Sequence, residues 1–283
     1  MKLPFTPDFF GKVAVVTGGA GILCSNMCEA LAQCGAKVAI LNRTESKAHA
    51  LAEKICQNGG IAKGYPVDIL DKDSLEHVHQ KILTELGPCE ILLNGVGGNH
   101  RMANTCDERF DPASLDDPDR ISFFDLPPES INYVFDVNMT SILLSTQCFA
   151  RDMVYKSGGV ILNISSMAAY SPLTKTPAYC AAKAAVSNFT QWLAVHFVNS
   201  GIRVNAIAPG FFSTVQNKSL LFTEDGTPAP RTQNILNGTP MHRFGAPEEL
   251  LGAMLWLVDN NCSSFVTGVI LPVDGGFSAF NGV

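Results

Sequence analysis

What the chain lacks narrows its class. No apolar run reaches the ~18 residues that a helical membrane span needs, so no membrane partner is expected. Positive charge is in the minority: 20 Lys and Arg stand against 26 Asp and Glu, a net charge of −6. No basic stripe offers a footprint for nucleic acid. The nine cysteines include no CxxC pair and no metal-ligand spacing, the pattern of reduced thiols in a cytoplasmic protein. His77 and His79 are two residues apart and point around a helix, which predicts exposed polar residues rather than metal ligands, and no metal is expected. Pro/Ser-rich linkers, composition breaks, internal repeats and low-complexity tracts are also missing. At 283 residues this predicts one domain over 1–283 rather than two. The start, Met1-Lys-Leu-Pro-Phe-Thr-Pro7, has no signal-peptide core and reads as a short lead-in to the first strand.

What is present is apolar and punctuated by glycine. Hydrophobic residues make up 46%, ample for a sheet covered on both faces. Lys12-Val-Ala-Val-Val-Thr17 reads as a buried strand, Gly18-Gly-Ala-Gly21 as a turn, the stretch to Cys34 as a helix, and Gly35-Ala-Lys-Val-Ala-Ile-Leu41 as a second buried strand. In such a βαβ unit the glycines let the backbone approach a pyrophosphate, and the helix N-terminus offers unpaired N–H groups and a positive dipole end. A tight turn in any α/β protein would look similar. The strand before it and the helix after it favour the nucleotide reading.

Farther on, Tyr179-Cys-Ala-Ala-Lys183 sets a phenol and an ammonium four residues apart, on one face of a helix. A free phenol, with pKa ~10, is a poor proton donor or acceptor at neutral pH. A fixed positive charge beside it favours the phenolate and lowers that pKa. Ser166, thirteen residues before Tyr179 and just past the apolar run Val160–Ile164, is placed to hold a substrate oxygen next to the tyrosine. Together these make a proton-transfer device for interconverting a carbonyl and an alcohol. Each piece alone has a plainer reading: an amphipathic pair at a helix edge for Tyr179 and Lys183, a helix cap for Ser166. The glycine loop in the same chain tips the balance.

Thr17-Gly18-Gly19-Ala20-Gly21, Asp68 after a strand, Asn94-Gly95-Val96-Gly97, Asn138, Ser166, Tyr179-x3-Lys183 and Pro209-Gly210 with Thr214 together resemble the short-chain dehydrogenase/reductase family along nearly the whole chain. The resemblance implies an α/β, Rossmann-type fold: a single doubly wound domain, with a parallel sheet of about seven strands and helices on both faces. It implies that Ser166 orients the substrate oxygen and that Tyr179 is the general acid/base. Lys183 would lower the tyrosine pKa and bind the nicotinamide ribose, while Asn138 would hold a water in a proton relay. Cofactor contacts are implied for Thr17, Gly18, Gly19, Gly21, Ile22, Leu23, Asn42, Arg43, Asp68, Asn94, Gly95, Tyr179, Lys183, Pro209, Gly210 and Thr214, with Asp68 accepting a bond from the adenine amine. The tail Pro272–Phe277 resembles the family's last strand and turn. There are two departures. The family's Thr-Gly-x3-Gly-x-Gly turn would put glycine where Ile22 and Cys24 stand, and its usual Asn-Asn-Ala-Gly is here Asn94-Gly-Val-Gly97. Cys24 is expected to be small enough to pack under the sheet.

Cofactor choice turns on Ile40-Leu-Asn-Arg-Thr44. An acidic side chain at the end of that strand would bind both ribose hydroxyls of NAD and repel a 2′-phosphate. Asn42 followed by Arg43, with Thr44 and Lys47 nearby, tilts the expectation to NADP(H) through charge-assisted hydrogen bonds. NAD(H) is the alternative if Arg43 stacks on the adenine. Two segments, 97–128 and 211–240, exceed a minimal fold and lie where such folds build specificity. The candidate anion or hydroxyl binders are Asn99, His100, Arg101, Lys175, Gln216, Asn217 and Lys218. As a set they suggest a polar substrate carrying a carboxylate, with Phe211 and Phe212 leaving room for a mixed pocket.

Within the family the chain is most similar to the bacterial sugar-acid branch, the D-mannonate oxidoreductases (fructuronate reductases). The similarity rests on Gly18–Cys24, Gly97-Gly-Asn-His100, Ser165-Ser-Met167 with Pro172-Leu-Thr-Lys175, and Ala208-Pro-Gly-Phe-Phe212. It implies reversible hydride transfer between a nicotinamide cofactor and the C5 keto group of D-fructuronate, giving D-mannonate; gluconate or ketogluconate reduction is the alternative. A function of another class, a nucleotide-binding sensor or scaffold without catalysis, rests on the irregular glycine loop alone. The intact set of Ser166, Tyr179, Lys183 and Asn138 opposes it. Phe189, Trp192, Leu193 and Phe197 give the helix after Tyr179 more apolar bulk than one sheet face requires, and by analogy with the family a homodimer or homotetramer is expected.

Overall fold

The computed structural model describes residues 7–156, 158–213 and 230–282. The buried runs form strands β1 (Val13–Thr17), β2 (Lys37–Asn42), β3 (Ile61–Pro66), β4 (Cys89–Asn94), β5 (Gly159–Ile164), β6 (Ile202–Pro209) and β7 (Ile270–Val273). They pair in parallel in the order β3-β2-β1-β4-β5-β6-β7. β1 and β6 are buried along their whole length, as strands covered on both faces must be. The order reverses between β1 and β4, so the crevice beyond their C-terminal ends is the switch point where doubly wound sheets take ligands.

The α-helices among the described residues are α1 (Ile22–Gln33), α2 (Glu45–Gln57), α3 (Lys72–Glu85), α4 (Pro128–Phe135), α5 (Ser141–Tyr155), α6 (Pro177–His196), α7 (Pro230–Asn237), α8 (Leu251–Val258) and the single turn α9 (Asn260–Ser263). Strand alternation feeds two cores. Ala14 and Val16 of β1 pack with Met27, Leu31, Met254 and Leu257 of α1 and α8. Val13 and Val15 face the other way, toward Leu75, Ile82, Phe149, Met153 and Leu193 of α3, α5 and α6. Each such side chain contributes about 1.5–3 kcal/mol on burial.

Several expectations are corrected here. His79 is buried, 5% exposed, because its position on α3 faces α5. Leu193 belongs to the core, whereas Trp192 stands 54% exposed on α6. The 97–128 segment is organised by three single-turn 3₁₀ helices, Arg101–Ala103, Pro112–Ser114 and Phe123–Asp125, each opened by a side-chain cap from His100, Asp111 or Ser122. All nine cysteines are free thiols. No described helix is long and apolar enough to cross a membrane.

Candidate active site

The turn after β1 is fixed by close backbone contacts. Gly18 has φ +63°, and a Cβ there would meet Gly95 O and Val96 N at 3.1 Å. The Thr17 hydroxyl accepts a bond from Gly95 N at 3.1 Å, and Gly19 N donates to Leu41 O at 3.1 Å, tying the turn to β4 and β2. Gly21 caps α1 with no side-chain bond, and the first turn of that helix, Ile22 and Leu23 included, carries no acidic residue. Its N–H groups and positive dipole end therefore face the crevice unopposed.

Cys24, at the position where the family carries glycine, is buried, and its thiol is pushed up to about 12 by burial. The room comes from the other departure. A Cβ at residue 95 would lie 2.2 Å from Cys24 Sγ, so Gly95 makes the space that the thiol fills. The cradle is intact with its volume redistributed, and a dinucleotide fits it. Asn42 bonds locally, donating from its amide to Thr44 O at 3.1 Å, while Arg43 is exposed and makes no ion pair among the described residues. Asp68 is exposed and accepts from Leu70 N. At the far side Pro209 ends β6, and Gly210 N donates to Val273 O.

Asn94 is the last residue of β4. Its side chain is fully buried within the sheet, donating to Asn163 at 2.9 Å and accepting from Ser145 at 2.7 Å. It stitches β4 to β5 and α5, and its amide does not reach the crevice.

The proton-handling residues converge where β4 and β5 end and α6 begins. Lys183 is 97% buried, donates to Ile164 O at 2.8 Å, and is depressed to about 8 by burial. Its ammonium lies 5.8 Å from the centre of the Tyr179 ring. Asn138 sits in a π-helical turn, Asp136–Thr140, between α4 and α5, a feature often found at functional sites. Its amide donates to Gly98 O and Val134 O at 2.7 Å. A Cβ at Gly97 would stand 2.8 Å from Asn138 Oδ1 and 3.1 Å from Lys183 Nζ, so the loop after β4 runs directly over both. Ser166 caps the 3₁₀ turn Met167–Ala169, accepting from Ala168 N at 3.1 Å, and also borders the Tyr179 hydroxyl. Burial raises the Tyr179 phenol, with Ser166 pulling the other way. The simple expectation of a lowered phenol thus meets an opposing influence, because the same burial that depresses Lys183 also disfavours the phenolate.

Tyr179 packs with Met167, Leu173, Cys180, Phe211 and Phe277. Three of these, Leu173, Phe211 and Phe277, also line a cavity of about 520 Å³ together with Asn104, Glu108, Lys175, Arg231 and Asn234 among others. Lys175 holds φ +70°, an uncommon conformation for a residue with a side chain. Arg231, Asn234 and Asn104 carry no local sequence signal; only the fold brings them to Lys175. The other candidates are dispersed. Asn99 bonds to Asn104, His100 accepts from Met102 N and packs against Tyr133, and Arg101 is exposed. Thr214, Gln216, Asn217 and Lys218 lie outside the described residues. A second cavity, about 580 Å³, is apolar and lies between the 97–128 segment and α6, lined by Phe110, Ile121, Phe123 and Ala184 among others, without the proton-handling residues.

The family model for short chain dehydrogenases matches residues 12–225. An uncharacterized oxidoreductase, UxuB, of Bacillus subtilis (strain 168) is 49% identical over 281 residues, covering 99% of this chain and 100% of that one. A crystal structure of a candidate D-mannonate oxidoreductase from Haemophilus influenza, with bound NAD, is 49% identical with TM-score 0.93 over 98% of both chains. The 5-keto-D-gluconate 5-reductase of Escherichia coli (strain K12) is 30% identical over 266 residues, 94% of this chain and 95% of that one.

Proposed function

Since the chain belongs to the short-chain dehydrogenase family, an oxidoreductase acting on CH–OH groups, we propose that it interconverts a keto group and an alcohol on a sugar acid of the D-fructuronate/D-mannonate type. The observation that carries this is the position of the cavity. It shares the Leu173–Phe211–Phe277 wall with Tyr179, and its rim bears Lys175 and Arg231. Two cations against the single acid Glu108 in the lining, on a molecule of net charge −6, give an anionic substrate a local target. The names of the relatives, a candidate D-mannonate oxidoreductase and a 5-keto-D-gluconate reductase, support the same class, and ketogluconate reduction is the alternative within it.

In this reading the substrate carbonyl lies between Ser166 and Tyr179. Ser166 donates to the oxygen, and Tyr179 delivers a proton to it as negative charge develops. Burial keeps Tyr179 protonated, the form that keto reduction requires; alcohol oxidation needs the phenolate and gains with rising pH. Lys183, held against Ile164 O, stabilises the phenolate left behind and reaches the cofactor ribose. Asn138 anchors the loop over Lys183 and holds the water of the proton relay. The hydride comes from the nicotinamide ring when the cofactor is bound. Thr17, Gly18, Gly19, Gly21, Ile22 and Leu23 cradle its pyrophosphate, Asp68 the adenine, and Gly95, Pro209 and Gly210 its flanks. Arg43 supports NADP(H), with no carboxylate at Asn42 to repel the 2′-phosphate; the NAD in the 49% identical structure supports NAD(H). The stack of exposed Trp192 and His196 on half-buried Phe189 of α6 supports a homodimer or homotetramer, and the free thiols support a cytoplasmic setting.

The test is a panel of D-fructuronate, 5-keto-D-gluconate and neutral ketoses with NADH and NADPH. Oxidation of either cofactor is expected with the keto acids and not with the neutral sugars. Tight cofactor binding with no turnover on any carbonyl would point to a sensor or scaffold instead.

A further inference from the structure

The buried histidine of α3 lies at the centre of a group that the catalytic reading does not use. His79 Nε2 approaches both oxygens of Asp152 on α5, at 3.0 and 3.1 Å, and Asp152 also accepts from Cys89 N at 2.9 Å. Phe149 meets the imidazole edge-on at 5.3 Å and fixes its plane. The other ring nitrogen, Nδ1, is buried and has no hydrogen-bond partner among the described residues. It faces Glu76, one turn earlier on α3, and Cys148, one turn before Asp152 on α5. Nδ1 to Glu76 Oε1 is 3.6 Å, Cys148 Sγ to Glu76 Oε2 is 4.0 Å, and the three ligand atoms all lie within 4.8 Å of one another.

We propose that Glu76, His79 and Cys148 form a binding site for a thiophilic divalent cation of the zinc class, clamping α3 to α5. Bond lengths of ~2.0–2.3 Å from zinc to nitrogen, oxygen and sulfur set ligand separations of about 3.3–3.6 Å in a tetrahedron, so two of the observed separations need only small side-chain adjustments. A thiolate and an imidazole select zinc-like ions over magnesium or calcium, which take oxygen ligands. The Asp152 carboxylate behind the imidazole is the partner that metal-bound histidines use to fix their tautomer, directing the Nδ1 lone pair outward. Glu76 is exposed, so it provides the entry path and leaves the fourth position to water. On binding, the Cys148 sulfur becomes a thiolate ligand, and its proton and any proton on Nδ1 pass to solvent. Cys148 is ten residues beyond Asn138, roughly 15 Å along the helix axis, which separates this site from the proton-handling residues.

The experiment uses the full chain, stripped with chelator, kept reduced and titrated with Co²⁺. One equivalent is expected to bind with a thiolate-to-cobalt charge-transfer band, and Zn²⁺ to displace it. Zn²⁺ should raise Tm by roughly 5 °C through preferential binding to the folded state. Cys148→Ser should remove the charge-transfer band, and Glu76→Gln should weaken binding at least ~10-fold, both with cofactor binding unchanged. The absence of a charge-transfer band in the parent protein would overturn the proposal, as would a band that persists in Cys148→Ser. If Cys148→Ser does not fold, Glu76→Gln, altered at an exposed side chain, decides the matter: unchanged Co²⁺ affinity there also overturns it. In that case His79 is a protonated staple between Asp152 and Glu76.

Discussion

The two walls of the crevice are built in different ways. The cofactor wall consists of strand ends and helix starts whose backbones touch: the Gly18 turn against Gly95, the loop at Gly97 over Asn138 and Lys183, the Gly210 turn against Asp274. The proposed substrate wall combines loop residues with the start of α7 and carries the exposed Lys175 and Arg231 at the rim of a cavity. In the first wall almost no atom can be added without moving a neighbour; in the second, side chains are free to change. A change in the first wall therefore strikes folding and catalysis together, whereas one in the second strikes selectivity alone.

The largest test of that contrast is Lys183→Met. Loss of the buried ammonium should lower kcat by roughly 10²–10⁴-fold. The same change should stabilise the fold, because the buried group titrates at about 8 against 10.5 for the free side chain. The folded state binds fewer protons between those values, so below about pH 8 the wild type bears the full burial penalty, which fades as pH rises toward 10.5. Allowing for the lost bond to Ile164 O, the variant should gain ~2 kcal/mol at pH 7, measured by denaturant melts across that range. A gain that grows with pH would contradict the sign.

Arg231→Ala probes the other wall. KM for the keto acid should rise roughly 10- to 100-fold with kcat little changed, as expected when a charge-assisted bond common to ground and transition states is removed, while stability stays within ~0.5 kcal/mol. A fall in kcat equal to the fall in kcat/KM would place Arg231 with the proton-handling groups and break the comparison.

Gly95→Ala sharpens it. The added methyl collides with Cys24 Sγ and should destabilise the protein by about 1–3 kcal/mol. Cys24→Gly in the same chain should restore only the part due to the thiol, because the methyl also meets Thr17 O at 2.8 Å; a double-mutant cycle reads that coupling directly. The smallest effect is expected at Arg43→Ala, which should weaken NADPH binding several-fold, by about 1 kcal/mol, and leave NADH unchanged; equal loss for both cofactors would assign Arg43 to the adenine face.

Those contrasts also mark what the sequence could and could not disclose. Tyr179 and Lys183 were legible because the helical period alone puts them on one face, and the strand–glycine–helix order exposes the phosphate cradle. The replacement of glycine by Cys24 was visible, but the compensation at Gly95 depends on β1 and β4 being neighbours across a long stretch of chain. The place of the Asn94 side chain was hidden for a similar reason: its amide bonds to Asn163 in the adjoining strand and to Ser145, partners set by register. His79 looked exposed because its spacing from His77 says nothing of α5 packing over it. Lys175 and Arg231 meet only through the fold, so a charged residue after a proline-rich stretch carried no sign of its place.

The most direct measurement is turnover and cofactor affinity in Tyr179→Phe, with the keto acid that serves the parent enzyme best. Removal of one oxygen from the crevice should lower kcat by at least ~10³-fold, while the cofactor Kd stays within about twofold. Turnover within ~10-fold of the parent would contradict the account, since the proton would then reach the alkoxide from some other group.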